Sequence, residues 1–160
     1  MRDESMLKTI FLIVLAYNIE IFINPILQSI NIIVPLSFLT YSYFAYKNKN
    51  GFTAISAFFI GLFMDLISGS FIGLNGLIYC MSTYIINSYK YVFRLFSYLQ
   101  ISIFFGIIAS VYVALTHLFI NINNFSYVTL FISLIGNTVF SFLISIARVY
   151  KPILFKRTGL

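Results

Sequence analysis

The sequence predicts an all-α integral membrane protein of six transmembrane helices with both termini in the cytoplasm. Three observations carry this prediction. The 160 residues are 61% hydrophobic and only 9% charged, whereas soluble domains are about 45–50% apolar and about 25% charged. Six apolar runs of roughly spanning length occupy nearly the whole chain. All ten Lys and Arg residues fall on one side of the resulting topology, which identifies that side as cytoplasmic.

The spans are drawn at about 6–23, 26–46, 52–67, 72–88, 96–120 and 127–147, leaving a basic tail over 148–160 and a single transmembrane domain. Asn24-Pro25 ends the first run, and Lys47-Asn48-Lys49-Asn50 ends the second. Ser68-Gly69-Ser70 follows the third, and Lys90 to Arg94 close the fourth. Asn121-Ile122-Asn123-Asn124 separates the fifth from the sixth. Arg2 and Lys8, Lys47 and Lys49, Lys90 and Arg94, and Arg148, Lys151, Lys156 and Arg157 then share one face. The other three connections carry no Lys or Arg, so the model of the topology is N-in, C-in.

The first run has a basic flank, but Asn18 and Glu20 follow with no small-x-small cleavage site, so it reads as a span and not as a signal peptide. With no tryptophan in the chain, Tyr46, Tyr89, Tyr91, Tyr98 and Tyr150 are expected to form the interfacial belt beside the cytoplasmic charges. Pro25 is expected to open the second span, where its missing N–H costs nothing. Pro35 is expected inside that span and predicts a kink.

The net charge of +6 flanks apolar runs and forms no basic face, so nucleic acid is not an expected partner. Cys80 is alone and has no partner for a disulfide or a metal site. No nucleophile elbow, H-E-x-x-H or phosphate-binding glycine loop is present, so no enzyme, cofactor or metal is expected. Apart from the basic residues at the cytoplasmic ends, the charged or histidine side chains in the spans are Glu20, Asp65 and His117, all near the outer ends of helices running outward. They could form a polar outer-half cluster, although Glu20 and His117 are also placed to reach the outer headgroups.

Asp65 has the most specific setting. Gly61, Asp65 and Ser68 share a helix face, and Gly61 would let another backbone approach closely. Gly69 and Gly73 suit a tight re-entry into the next helix. The Asp65 carboxylate is therefore expected to accept N–H bonds from the start of the fourth helix. Asn75, Asn87 and Asn137 add polar groups for interhelical hydrogen bonds, and Ser102, Ser110 and Thr116 are expected to bond back to their own helix.

The spacing Gly61-x-x-x-Asp65-x-x-x-Gly69-x-x-x-Gly73, followed by Asn75 and Gly76, resembles the signature of the MreD family of rod shape-determining proteins. The resemblance extends to the chain length, the six spans, the Asn-Pro after the first span and the short basic tail. The absence of tryptophan is a departure from it. The resemblance implies a non-catalytic scaffold of the cell-elongation machinery in the bacterial inner membrane. Its implied partner is the single transmembrane segment of MreC, with MreB, RodA and a class B penicillin-binding protein as indirect partners. On this reading the hairpin of Gly61, Asp65, Gly69, Gly73, Asn75 and Gly76 is the partner-binding motif. The chain also resembles the substrate-binding subunits of energy-coupling-factor vitamin transporters, which share the six-span size and a related fold. That alternative predicts an enclosed outer cavity with convergent polar groups, whereas the scaffold predicts a groove lined by small residues.

Overall fold

Each apolar run becomes a helix because an isolated segment in an apolar medium must satisfy its own backbone groups. The computed structural model describes residues 2–47, 53–89, 91–120 and 126–157. The six helices are α1 (Arg2–Gln28), α2 (Leu36–Lys47), α3 (Ala54–Ser68), α4 (Leu74–Ser88), α5 (Tyr98–Ile120) and α6 (Tyr127–Arg157), with a short 3-10 turn at Val92–Arg94. Two stretches, Leu7–Gln28 and Leu99–Phe119, are long and apolar enough to cross a membrane by length and composition. Ala54–Ser68 and Tyr127–Leu143 are apolar but shorter.

The helices associate as neighbours in sequence, α1 with α2, α3 with α4 and α5 with α6, and α2 joins the pairs by touching both α4 and α5. Phe38, Tyr41 and Ala45 of α2 accordingly sit at the centre of the core with Ile78, Tyr79 and Ile86 of α4 and Phe105 and Ala109 of α5. Tyr41 stacks on Tyr79 with ring centroids 4.3 Å apart and shares a hydrogen bond with the Thr83 hydroxyl. Phe38 stacks on Tyr112 at 4.6 Å. The outside is apolar too. Phe11, Phe22, Phe59, Leu77, Val111 and Phe131 are all exposed. Apolar surface on this scale suits hydrocarbon and would associate in water.

The second predicted span differs from expectation. The Asn24-Pro25 break is absent, because α1 continues through Pro25 to Gln28. Pro25 therefore does not open the second helix. Pro35 causes no kink inside a helix either, since it lies immediately before α2. Residues 29–35 between them are non-helical, with Asn31 at φ 57°. The physical reason is that a proline disfavours helical geometry in the residue before it, so Pro35 stops any helix from running through Val34. What remains, α2, has 12 residues, or about 18 Å of helix, against a hydrocarbon thickness of about 30 Å.

This non-helical backbone is satisfied by side chains from other helices. Ser133 Oγ accepts from Ile33 N at 3.0 Å. Asn24 Oδ1 accepts from Val34 N at 3.1 Å. Glu20 Oε2 accepts from both Ser37 N, at 2.9 Å, and Ser37 Oγ, at 2.7 Å. Irregular backbone buried in protein within an apolar medium needs such partners.

α6 continues to Arg157, so most of the predicted tail is helical. The Lys47–Asn50 cluster beyond Lys47, Lys90 and the Asn121–Asn124 break lie outside the described residues. Tyr89 and Tyr91 of the expected belt are exposed, whereas Tyr46 packs edge-on against Phe93 and Phe105.

Candidate functional site

The α3–α4 hairpin is built around one carboxylate. Thr53 caps α3 at its start, accepting from Ser56 N, and Gly69 ends it in the left-handed region at φ 64°. Gly73 then enters α4 at φ 95°. A Cβ is strained in such a conformation, and the two glycines remove that penalty. Their geometry folds the loop back so that the first N–H groups of α4 point at Asp65.

Asp65 is 1% exposed. Its Oδ2 accepts from Gly73 N at 2.8 Å and, at a longer 3.4 Å, from Gly76 N. Its Oδ1 accepts from Asn75 N at 3.0 Å and from Ser70 Oγ at 2.9 Å. Ser70 Oγ in turn accepts from Ser68 Oγ and from the Asn75 amide. The N-terminal groups of α4 that have no partner within the helix are thus met by a buried negative charge, and the helix dipole adds to the attraction. Hydrogen bonds to an ionised acceptor are worth about 1.5–3 kcal/mol each.

Gly61 has a different neighbour from the one the partner-binding expectation requires. A Cβ there would stand 2.5 Å from the Asn75 carbonyl oxygen and 2.6 Å from Gly76 Cα. The close approach is made by α4 of the same chain, so the Gly61 face is filled and offers no groove to a partner helix. Gly76 is likewise covered, since a Cβ would meet the Phe58 ring at 3.1 Å. The six residues divide by what they do in the hairpin. Gly61 and Gly76 let α3 and α4 touch, Gly69 and Gly73 shape the loop, and Asp65 with Asn75 ties it.

The hairpin forms one wall of a recess of about 470 Å³. Tyr17 and Glu20 line it from α1, Pro35 from the non-helical segment, Ser70 from the α3–α4 loop. Asn75 contributes from α4, and Tyr112, Thr116 and His117 from α5. Tyr112 Oη donates to Asn75 Oδ1 at 2.6 Å, which links the α5 wall to the Asp65 knot. Glu20 and His117 thus both face the recess, as a polar outer cluster requires, but Asp65 stands behind the wall formed by its partners Ser70 and Asn75. The three do not form one ligand cluster: among the described residues no group of three His, Cys, Asp or Glu side chains could hold a metal ion.

Several residues escaped the sequence reading. Tyr17 and Tyr112 belong to the recess but look like ordinary apolar-run tyrosines. Asn24, Ser37 and Ser133 hold the non-helical segment. Asn24 stands next to Pro25, and the dipeptide has the form of a turn signal in the sequence. Ser110 and Thr116 do bond back to carbonyls of their own helix. A second recess, an apolar groove of about 340 Å³, runs between α5 and α6 and contains the small residues Ser110 and Ala114 opposite Leu130 and Leu134.

Compared with known families, the chain matches that of the rod shape-determining protein MreD over residues 4–151, which includes the knot, the recess, α2 to α5 and most of α1 and α6. The chain belongs to the MreD family. The family is membrane-associated and determines rod shape, and the apolar exterior and two long apolar helices agree with that setting. No curated protein and no solved structure matches the chain.

Proposed function

We propose that this MreD-family chain is a non-catalytic, multi-pass scaffold of the inner membrane that holds MreC in the cell-elongation machinery and so supports peptidoglycan synthesis. The observation that carries the proposal is the family match over residues 4–151, which supports the scaffold over the vitamin-transporter reading. The charge asymmetry supports an N-in, C-in topology, with α3 running outward and the Asp65 hairpin at the outer surface. The basic residues after α6 then lie against the anionic inner leaflet, each worth about 1 kcal/mol near the surface.

MreC would be met within the bilayer by its single transmembrane helix. Because α4 fills the face of Gly61, the α5–α6 groove is the better surface for that helix. Ser110 and Ala114 are one turn apart there, which permits close backbone approach, and Ile107, Val111 and Phe131 supply packing around them. Association inside a membrane rests on such van der Waals contact, because lipid tails compete equally for apolar surface.

The test is co-purification of the full chain with MreC from membranes. Ala114→Trp fills the groove and is expected to reduce recovered MreC several-fold at normal chain yield. Gly61→Leu is expected to lower the yield of folded chain itself. Undiminished MreC recovery with Ala114→Trp would move the contact away from α5 and α6.

A further inference from the structure

The recess behind the α3–α4 hairpin is not used by a scaffold that meets its partner between α5 and α6, yet it is built from five separate segments of the chain. We propose that it binds a primary ammonium group, carried by a soluble amine or by an ethanolamine lipid headgroup. Its volume of about 470 Å³ falls within the roughly 300–1,000 Å³ of small-molecule sites.

The charge balance selects a cation. Glu20 supplies a carboxylate, and among the described residues no Lys or Arg lines the recess. Lys8 on the same helix is 12 residues away, or about 18 Å. The Glu20 carboxylate accepts from the Ser37 N–H and hydroxyl and from the Leu36 N–H at the start of α2, which are dipoles and not a counter-charge. An anion would face Glu20 directly and Asp65 through the thin wall of Ser70 and Asn75.

The shape selects a small head with an apolar stem. An ammonium has three donors, and the recess offers acceptors on Glu20, Ser68 and Thr116. Tyr17 and Tyr112 line the same space, and an aromatic ring attracts a cation over its face. Ile33, Phe71 and Val113 provide an apolar side for methylene groups. If the ammonium belongs to a lipid, its phosphate stays at the mouth, away from Glu20.

The experiment is thermal unfolding of the full chain in maltoside micelles with two ammonium probes, ethanolamine and dihexanoyl phosphatidylethanolamine. Ethylene glycol and dihexanoyl phosphatidylcholine serve as their controls. At least one ammonium probe is expected to raise the melting temperature saturably, as a ligand of the folded state must, while its control does not. Which probe does so identifies the source. Glu20→Gln should remove the effect, but it also alters the cap on Ser37. His117→Lys is the independent variant, because it adds a like charge at the wall without touching either cap, and it is expected to weaken the ammonium probe at least tenfold. No shift with either ammonium probe, equal shifts with the controls, or unchanged binding in His117→Lys would overturn the proposal. None of these readouts involves MreC, so the scaffold reading stands or falls separately.

Discussion

At Asp65 a single carboxylate replaces the hydrogen-bond partners that the first turn of α4 lacks. Removing it leaves the N–H groups of Gly73 and Asn75 buried and unpaired, at about 1–3 kcal/mol each. Asp65→Ala is therefore expected to cost about 3 kcal/mol or more, seen as a lower melting temperature in detergent. Asp65→Asn keeps one acceptor oxygen but turns an amide donor toward other donors, so an intermediate loss is expected. Equal melting temperatures for the wild type and Asp65→Ala would show that the knot does not stabilise the hairpin. The glycines divide by mechanism in the same assay. Gly69→Ala has open space around the new Cβ but keeps φ at 64°, so the cost is about 1–2 kcal/mol of backbone strain. Gly61→Ala drives its Cβ into the Asn75 carbonyl, where only a shift of α4 gives relief, and it is expected to be the worse of the two.

At the scale of elements, the segment 29–35 shows where sequence and structure part. The Asp65 hairpin was legible because all its partners lie within 11 residues of the carboxylate, so local spacing carried the information. The break before α2 is expected at Asn24-Pro25, because that dipeptide has the form of a turn signal, but it lies at residues 29–35. The deciding contacts are tertiary: Ser133 reaches Ile33 across 100 residues, and no local pattern encodes that. The recess was hidden for the same reason, since Tyr17, Ser70, Asn75 and Tyr112 are brought together only by packing. If these side chains hold the segment, Ser133→Ala and Asn24→Ala should each expose a single N–H and speed hydrogen exchange at Ile33 and Val34 respectively. Each loss is expected to cost about 1–2 kcal/mol. Exchange that stays slow at both sites would mean that water or a backbone group substitutes for the missing acceptor.

At the scale of the whole molecule, the apolar exterior and the one-sided distribution of Lys and Arg act together. On the proposed topology the exterior meets hydrocarbon, and the charges keep their end of the bundle inside. That division places Phe71, in the loop beside the Asp65 knot, and Tyr91, next to Lys90 and Arg94, at opposite surfaces. Both side chains are exposed, at 61% and 77%, so each can be exchanged for a reporter without opening the core. With Cys80→Ser as background, Phe71→Cys is expected to react with an impermeant maleimide added to cells whose outer face is accessible. Tyr91→Cys is expected to react only after the membrane is permeabilised. Labelling of both from one side would remove an odd number of crossings between them, and α4, of 15 residues, is the helix on which that count depends. At about 22 Å it is shorter than the hydrocarbon thickness of about 30 Å. On that topology its outer end is completed by the Asp65 knot and the loop of Gly69 to Gly73, so the hairpin extends the span where the helix stops. Breaking the knot with Asp65→Ala should then make Phe71→Cys react faster while Tyr91→Cys remains protected, separating a loosened outer loop from a changed topology.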